Sequence, residues 1–334
     1  NYKKYNAHIF CIFITIIVFI DYYRINSEII KPQKHIPHKK IIQSNDYINN
    51  YLLKDELTDY LLNDKSKYRI IDFVGDQNRW SIHNIDNING YYPAKLSNYQ
   101  IFLNNINSKG YQIWPEGILK LLNVKYFVLP GPVIDNSLFD NLGYKQMYFF
   151  GNYKEFNGKL VDVCLYKYNN FSNRFFFTNQ IQISDRNNIY NEILSDNYDP
   201  YDIVYIESSN LNDRDYIINQ SFDSSDRIIE ILDWEADKIR FKTNSSSDQF
   251  LVMSEIFYPN GWEVYNNGNK YKIHEVNNLV RGLFVPKGEN EFIMTFKPND
   301  IKIGKFISII GYLLILLLIL LHYKKYNMKV NEKI

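Results

Sequence analysis

The chain has 334 residues, of which 46% are hydrophobic and 16% aromatic, and its formal net charge is +1. This length allows two ordinary domains as well as membrane segments. The near-neutral charge, without a basic stripe, argues against a nucleic-acid partner. The two cysteines and six histidines have no zinc-ligand spacing, so we expect no metal site and no cofactor.

The first predicted element is an apolar segment from Ala7 to Ile20, which we expect to form a transmembrane helix over residues 5–25. A secretory signal peptide is the alternative, although no small-x-small cleavage site follows the segment. The segment contains Cys11, which therefore has no access to Cys164 in the polar part, and we expect no disulfide. The chain begins with Asn1 rather than Met, so it is either processed or the tail of a longer protein; we favour the tail.

Helical and strand-like segments alternate between residues 45 and 215. Apolar residues recur at helical spacing over 41–62, 96–106, 118–123 and 186–194, and strand-like runs cover 68–73, 124–129, 146–150, 160–168, 174–183 and 203–206. Ser97 and Asp185 are candidate helix caps. A helix followed closely by a β-branched and aromatic strand is typical of α/β folds. We therefore predict an extracytoplasmic α/β domain over residues 45–215.

The hydrophobic period changes to two after residue 226. Short strands are predicted at 227–232, 238–242, 250–257, 262–265, 271–276, 279–285 and 291–297, separated by Asn-, Gly- and Ser-rich turns. This spacing indicates a β-sandwich domain over residues 226–300, with Trp262 as a core residue. The predicted fold class is thus membrane-anchored α+β: an α/β domain followed by an all-β sandwich domain, flanked by two transmembrane helices.

The second apolar segment lies near the carboxyl terminus. Phe306 to Leu321 contains no charged residue, and we predict a transmembrane helix over residues 303–323. A buried core helix is the alternative, but a soluble helix rarely carries branched aliphatic residues on every face. Lys324 and Lys325 follow at once, so the positive-inside rule predicts a cytoplasmic carboxyl terminus and an extracytoplasmic soluble region. The lipid bilayer is therefore an expected partner of a multi-pass chain.

One stretch of the first domain combines cations and aromatic rings. Its candidate substrate-binding residues are Arg69, Arg79, His83, Tyr91, Tyr92, Lys95 and Tyr99, and Arg281 is a weaker candidate outside it. Arg and Lys pair with phosphates, and aromatic faces pack against sugar rings. Structural packing and solvated charge are the alternative. Asp72 and Asp76 flank a strand end where catalytic carboxylates often lie, or they cap a turn, and we predict no catalytic residue.

Several segments, in their order, carry a resemblance to a known family. They are Ser254 to Trp262, Leu279 to Gly288 and Lys297-Pro298 before the last apolar segment, with Gly90 to Lys95, Tyr99 and Leu121 to Tyr126 upstream. Over most of residues 65–325 they resemble the C-terminal part of YfhO-type bacterial polytopic membrane proteins. The resemblance implies a GT-C-like glycosyltransferase of the bacterial cytoplasmic membrane, with a polyprenyl-phosphate sugar and an envelope glycan as partners.

The resemblance also limits what this chain contributes. In that family the acidic catalytic residue lies in an early external loop, and a chain with two apolar segments has no matching position. We therefore expect the extracytoplasmic C-terminal region of a membrane glycosyltransferase that modifies cell-envelope glycans, with the catalytic part upstream. The alternative is a non-enzymatic, membrane-anchored envelope protein that binds carbohydrate or protein. A third possibility is an extracytoplasmic hydrolase that uses Asp72 or Asp76.

Overall fold

The computed structural model describes residues 2–30, 53–75, 78–90, 95–110, 114–131, 137–141, 143–154, 160–210 and 220–331. The chain divides into a smaller unit of residues 1–64 with 79–84 and a larger unit of residues 65–78 with 85–334. The described helices are α1 (Tyr2–Ile30), α2 (Glu56–Asn63), α3 (Arg79–Ile82), α4 (Ser97–Ser108), α5 (Glu116–Leu121), α6 (Ser137–Asn141), α7 (Arg186–Ile193) and α8 (Asn299–Asn331). A short 3₁₀ turn covers Ser208–Asn210.

The smaller unit contains α1, α2 and α3. The apolar side chains of α1 are exposed from Ile9 to Ile25, and Ile9–Asn26 is long and apolar enough to cross a membrane. Asp55 caps α2 by accepting a hydrogen bond from the Thr58 backbone N–H at 2.8 Å. The predicted helix over 41–62 is described only from Glu56 onward, and the part before residue 53 lies outside the described residues.

The first part of the larger unit contains a mixed sheet. Its strands are β1 (Arg69–Asp72), β2 (Asp86–Asn87), β3 (Val124–Pro130), β4 (Tyr144–Lys154) and β5 (Leu160–Tyr168). Their order is β2-β1-β3-β5-β4, in which β1 is parallel to β2 and β3, and β5 is antiparallel to β3 and β4. Strand β3 follows α5 directly, as the α/β pattern predicts. A second, smaller sheet is formed, in spatial order, by the strands Ile203–Glu207, Gln180–Ser184 and Gln220–Ser221.

Two further sheets form the sandwich part. The remaining strands of the larger unit are β6 (Phe175–Thr178), β7 (Gln180–Ser184), β8 (Ile203–Glu207), β9 (Gln220–Ser221), β10 (Ile228–Trp234), β11 (Lys238–Ser245), β12 (Gln249–Ile256), β13 (Trp262–Asn266), β14 (Asn269–Tyr271), β15 (Ile273–Val276), β16 (Val280–Val285) and β17 (Gly288–Phe296). The sheet β10-β11-β17-β13-β14 packs against the sheet β15-β16-β12-β6. Side chains from both sheets share one core: Phe175, Phe177, Ile239, Phe241, Leu251, Met253, Val264, Leu283, Val285, Phe292 and Met294.

The two sheets differ in how they are covered. Strand β11 alternates between buried and partly exposed residues, because one of its faces meets water. Strand β12 is buried from Gln249 to Ser254, since Phe250 and Val252 on its other face join the core of the α/β part. The fold is therefore α+β with several sheets. Trp262 is only partly buried and packs at the edge of the sandwich core.

Two strands predicted as continuous are divided in the structure. The run over 174–183 becomes β6 and β7, which separate at Asn179, and the run over 271–276 becomes β14 and β15, which separate at Lys272. In both cases the two strands belong to different sheets, so the chain leaves one sheet before it joins the next. Since β6 pairs with β12, the sheets do not separate at the predicted domain limits. The division into 45–215 and 226–300 stays a proposal about folding units.

The predicted helix caps differ in outcome. Asp185 caps α7, because its carboxylate accepts hydrogen bonds from the backbone N–H groups of Asn187 and Asn188, both at 3.1 Å. The prediction for Ser97 is wrong: Ser97 is the first residue of α4, and Leu96 occupies the cap position without a side-chain hydrogen bond. A serine one residue inside the helix has its hydroxyl displaced from the backbone N–H groups that it would cap.

Helix α8 is exposed along its apolar length. Its segment Asn299–His322 has 24 residues and is not buried by any part of the described chain. At 1.5 Å per residue this segment is about 36 Å long, enough to cross a hydrocarbon layer of about 30 Å. Leu318 is 64% exposed and Tyr312 74% exposed, so the alternative of a buried core helix is wrong.

Candidate functional site

Three arginines lie buried in the larger unit. Arg69 is the first residue of β1, Arg174 directly precedes β6, and Arg281 lies in β16. Their exposed fractions are 8%, 5% and 5%. A buried charge without a partner costs several kcal/mol, so each guanidinium requires a compensating group. We call these three residues the arginine cluster.

Glu255 connects two members of the arginine cluster. Arg174 Nε lies 2.6 Å from Glu255 Oε1, and Arg69 Nη2 lies 3.5 Å from the same oxygen. Glu255 reaches them because β12 carries a bulge: Met253 pairs with Arg281 and Ile256 with the adjacent Val280, so Ser254 and Glu255 are extra. Bulges redirect side chains in this way.

The bulge supplies a second contact. The Ser254 hydroxyl accepts a hydrogen bond of 2.8 Å from Arg69 Nη1, which also donates to the Leu122 carbonyl at 2.9 Å. Arg174 is held in the same way: its Nη1 donates to Asn123 Oδ1 at 3.3 Å, and its Nη2 pairs with Asp86 Oδ2 at 2.8 Å. Both guanidinium planes are thus fixed by several partners.

The electrostatics of the cluster keep Glu255 ionised. Burial raises the pKa of its carboxyl group, but the positive charges of Arg174, Arg69 and Arg281 together outweigh burial, and the pKa lies below its usual value. With Asp86 the group contains three formal positive charges and two negative ones. The site therefore carries an excess of positive charge.

Arg281 has the poorest set of partners in the cluster. Its Nε donates to the Ile256 carbonyl at 3.2 Å, and its guanidinium lies 4.4 Å from the centroid of the Trp262 ring. Its Nη1 is buried and has no hydrogen-bond partner within the part of the chain that the structure describes. Burial lowers the pKa of Arg281 to about 10, with Glu255 opposing that shift, so the side chain is still charged at neutral pH.

A cavity of about 280 Å³ opens beside Arg69. Its lining residues are Arg69, Asn87, Ile88, Gly90, Lys95, Leu96, Tyr99, Leu122 and Ile256. Three of the sequence-predicted binding residues, Arg69, Lys95 and Tyr99, thus come together. This volume is close to the lower end of the roughly 300–1,000 Å³ that is usual for small-molecule sites. Two cations and one phenol in a partly apolar wall suit a small anionic ligand that carries a ring.

Tyr99 is fixed in the wall of the cavity. Its hydroxyl donates a 2.8 Å hydrogen bond to the Ile88 carbonyl, which orients the ring. Burial raises the pKa of Tyr99 to about 12, against the opposing charge of Arg69. The phenol is therefore neutral at physiological pH and offers its ring and its oxygen lone pairs to a ligand.

Two predicted binding residues belong to the smaller unit. Arg79 pairs with Asp55 Oδ2 at 2.5 Å, donates to Thr58 Oγ1 at 3.0 Å, and stacks over Trp80 at 4.7 Å. These contacts fix the start of α2. Burial and the nearby Arg79 charge lower the pKa of His83, so this histidine is neutral at pH 7.

The other sequence-predicted binding and catalytic candidates are not among the described residues that line the cavity. Tyr91, Tyr92 and Asp76 lie outside the described residues. Asp72 is buried, and its Oδ1 accepts a 2.8 Å hydrogen bond from the Val74 backbone N–H, the contact of a turn cap. Among the described residues, no group of three or more His, Cys, Asp or Glu side chains is placed to hold a metal ion.

Sequence analysis did not select Arg174 or Glu255. Arg174 precedes a run of three phenylalanines, a pattern that indicates a buried strand and not a charged site. Glu255 is the one charged residue within β12, and it follows closely on the apolar run Phe250–Met253. An acidic residue at such a position is a signal of a buried ion pair.

Part of the chain is similar to known proteins. The family model of the bacterial membrane protein YfhO matches residues 165–308, from within β5 to within α8. The uncharacterized protein YfhO of Bacillus subtilis (strain 168) is 32% identical over 83 residues, a match that covers 25% of this chain and 10% of that relative. No solved structure matches the chain. Residues 165–308 are therefore similar to the YfhO family of bacterial membrane proteins, and the chain also has two exposed helices that are apolar enough to cross a membrane.

Proposed function

We propose that the chain is the extracytoplasmic C-terminal region of a polytopic membrane glycosyltransferase. The enzyme takes a sugar from a polyprenyl-phosphate carrier and modifies a cell-envelope glycan, and its catalytic part lies upstream of this chain. The observation that carries the proposal is the cavity in which Arg69, Lys95 and Tyr99 meet, in a chain whose residues 165–308 match the YfhO family model. Its role is to bind donor or acceptor, not to catalyse transfer.

The cavity chemistry suits a phosphate-linked sugar. Phosphate oxygens accept charge-assisted hydrogen bonds from guanidinium and ammonium groups, and these bonds are about twice as strong as neutral ones. Arg69 is already held by Leu122, Ser254 and Glu255, so little conformational entropy is lost when it binds an anion. The neutral ring of Tyr99 supplies an apolar face for the sugar.

The position of the cavity supports a substrate that arrives from the membrane. Ile256 lines the cavity at the end of β12, and Gly261, five residues later, accepts a 2.6 Å hydrogen bond from the Lys297 N–H. Helix α8 begins at Asn299, two residues beyond Lys297. The cavity therefore lies at the end of the sandwich from which the membrane helix leaves. A carrier lipid reaches this end without leaving the bilayer.

Substitution of Lys95 tests the proposal. The full-length protein in native membranes is given a radiolabelled polyprenyl-phosphate sugar, and transfer to envelope glycan is measured for Lys95→Ala and for Lys109→Ala. Lys109 is the matched control, because it is an exposed lysine at the other end of α4. Loss of one charged hydrogen bond, worth about 1.5–3 kcal/mol, predicts at least a tenfold rise in KM for Lys95→Ala only. Equal transfer by both variants would contradict the binding role.

The gene upstream of Asn1 provides an independent test. The proposal expects additional membrane spans there, with an acidic residue in the first external loop. A start codon directly before Asn1 would remove the catalytic part and overturn the transferase assignment.

A second candidate function is a non-enzymatic envelope protein that binds carbohydrate or protein. An open groove of about 700 Å³ favours it, because Phe171, Phe175 and Tyr201 line it together with Lys67 and Arg227. Aromatic surfaces of this kind bind glycans without catalysing a reaction on them. Binding of envelope glycan by the full chain, with no transfer from any polyprenyl-phosphate sugar, would favour this function over the first.

A further inference from the structure

The end of the sandwich that continues into α8 has a distinctive surface. The exposed turn Tyr258–Asn260 follows β12, and exposed lysines at 297, 302 and 305 lie just before and within the first turns of α8. We call these six residues the membrane-proximal surface. The residue after the turn is joined to the residues before the helix, since the Lys297 N–H donates to the Gly261 carbonyl at 2.6 Å.

The linker between the sandwich and α8 is short and well held. Phe296 ends β17, and its N–H donates to the Asp237 carbonyl at 2.8 Å. Its ring lies 5.3 Å from the Trp262 ring and 6.1 Å from the Tyr258 ring, measured between centroids. Only Lys297 and Pro298 separate this packed residue from the first residue of α8. The sandwich therefore cannot move far from the point where α8 enters the bilayer.

The length of α8 sets the depth of this surface. The apolar segment Asn299–His322 is about 36 Å long, which exceeds a hydrocarbon layer of about 30 Å by about four residues. The headgroup regions add about 5–8 Å on each side. The first turn of α8 then lies among the headgroups. Tyr258 is three residues from Gly261, so its Cα lies within about 11 Å of the Gly261 Cα.

We propose that the membrane-proximal surface docks into the phosphate headgroup layer of the bilayer, with Tyr258 at the headgroup level and the three lysines against lipid phosphates. Tyrosine is enriched at this level because its ring is apolar and its hydroxyl is polar. Tyr258 is 38% exposed, so its ring is available to lipid. The docking fixes the sandwich against the membrane.

Carboxylates accompany the lysines at this end of the sandwich. Asp300 lies in the first turn of α8, where the positive end of the helix dipole stabilises an acidic side chain. Asp237 lies in the turn beside Phe296. Glu235 lies in the same turn and Lys238 follows it, whereas Glu263, near Lys297, pairs with Lys270 at 2.5 Å. Outside that pair, four lysines against three carboxylates leave an excess of one positive charge. The surface therefore favours lipids with a net negative headgroup.

The experiment uses the full chain in vesicles of phosphatidylcholine and phosphatidylglycerol, with both native cysteines replaced by alanine. A nitrobenzoxadiazole probe is attached to a cysteine at Tyr258→Cys, or at Asn269→Cys as the control. Asn269 is exposed in the hairpin at the opposite end of β13, because Asn266 pairs with Asn269 there. Asn260→Cys places the probe at a second position in the same turn as Tyr258. A nitroxide on the lipid headgroup then quenches any probe that lies near it.

The expected result is at least twofold stronger quenching at positions 258 and 260 than at position 269. Equal quenching at all three positions would overturn the proposal. The variant Lys297→Gln/Lys302→Gln/Lys305→Gln should weaken quenching at position 258 in these anionic vesicles. Unchanged quenching in this variant would overturn the assignment of the lysines to lipid phosphates.

Discussion

Replacement of Glu255 by glutamine removes the negative charge between the buried arginines and keeps the shape of the side chain. Glu255 is 19% exposed and lies 2.6 Å from Arg174 Nε and 3.5 Å from Arg69 Nη2. Breaking a buried pair from one side costs about 3–5 kcal/mol, because it leaves the opposite charge without compensation. Here two guanidiniums lose their shared partner, and Arg281 loses an opposing charge that stabilises its charged form. We therefore expect a loss within this range.

Urea unfolding of the detergent-solubilised chain, followed by tryptophan fluorescence, measures the effect. At an m value of about 3 kcal/mol/M in urea, a loss of 3–5 kcal/mol lowers the urea midpoint by about 1–2 M. Glu289→Gln is the control, since its side chain is 75% exposed and lies 4.0 Å from Lys242. An exposed pair of this kind contributes about 0–1 kcal/mol. If Glu255→Gln and Glu289→Gln unfolded at the same urea concentration, the arginine cluster would not depend on its carboxylate.

Ionisation of Glu255 also makes the stability of the chain depend on pH. The folded-state pKa of Glu255 is below its ordinary value of 4.5, so its contribution to stability is complete above about pH 5. The contribution is lost as the pH falls through the lower folded-state pKa. The stability difference between the wild-type chain and Glu255→Gln should therefore be constant from pH 5 to 8 and should shrink in stronger acid. A difference that grew in acid would contradict the direction of this pKa shift.

Two further substitutions test packing and capping. A Cβ at Gly282 would lie 2.5 Å from Val276 Cγ2 and 2.6 Å from Phe250 Cε1, so Gly282→Ala should destabilise the chain by about 1–3 kcal/mol. Gly75→Ala is its control, because a Cβ there meets only Asp72 Oδ2 at 3.8 Å, and equal Tm values for the two would contradict the close packing of β16 against β12 and β15. Asp185→Ala should cost about 1 kcal/mol by removing the cap of α7, whereas Asp185→Asn should cost much less. Thermal unfolding measures both, and equal losses for Ala and Asn would count against the cap.

Local patterns in the sequence predicted the elements but not how the sheets share them. The apolar segments at the two ends, the Asp185 cap and the position of β3 after α5 follow from short-range rules, and the structure has them. The breaks at Asn179 and Lys272 depend on which sheet the chain joins next, and no local period contains that information. The continuous burial of β12 has the same origin, because its second face is covered by residues distant in sequence.

The candidate site was predictable only in part. A cation and aromatic cluster near Tyr99 indicated a binding region, and Arg69, Lys95 and Tyr99 do line one cavity. Arg79 lies in the smaller unit and pairs with Asp55, a contact that sequence spacing does not reveal. The arginine cluster depends on a bulge in β12, which redirects Glu255 toward side chains from β1 and the start of β6. Such a bulge is a property of strand register and not of composition.

The central claim is that α8 crosses the bilayer, with the sandwich outside the cell and the lysine-rich carboxyl terminus inside. Labelling with a membrane-impermeant maleimide tests it directly in the cysteine-free chain, with a single cysteine at Asn269→Cys or Lys333→Cys. The account predicts that Asn269→Cys is labelled in intact cells and that Lys333→Cys is labelled only after permeabilisation. Labelling of both positions in intact cells, or of Lys333→Cys alone, would contradict it.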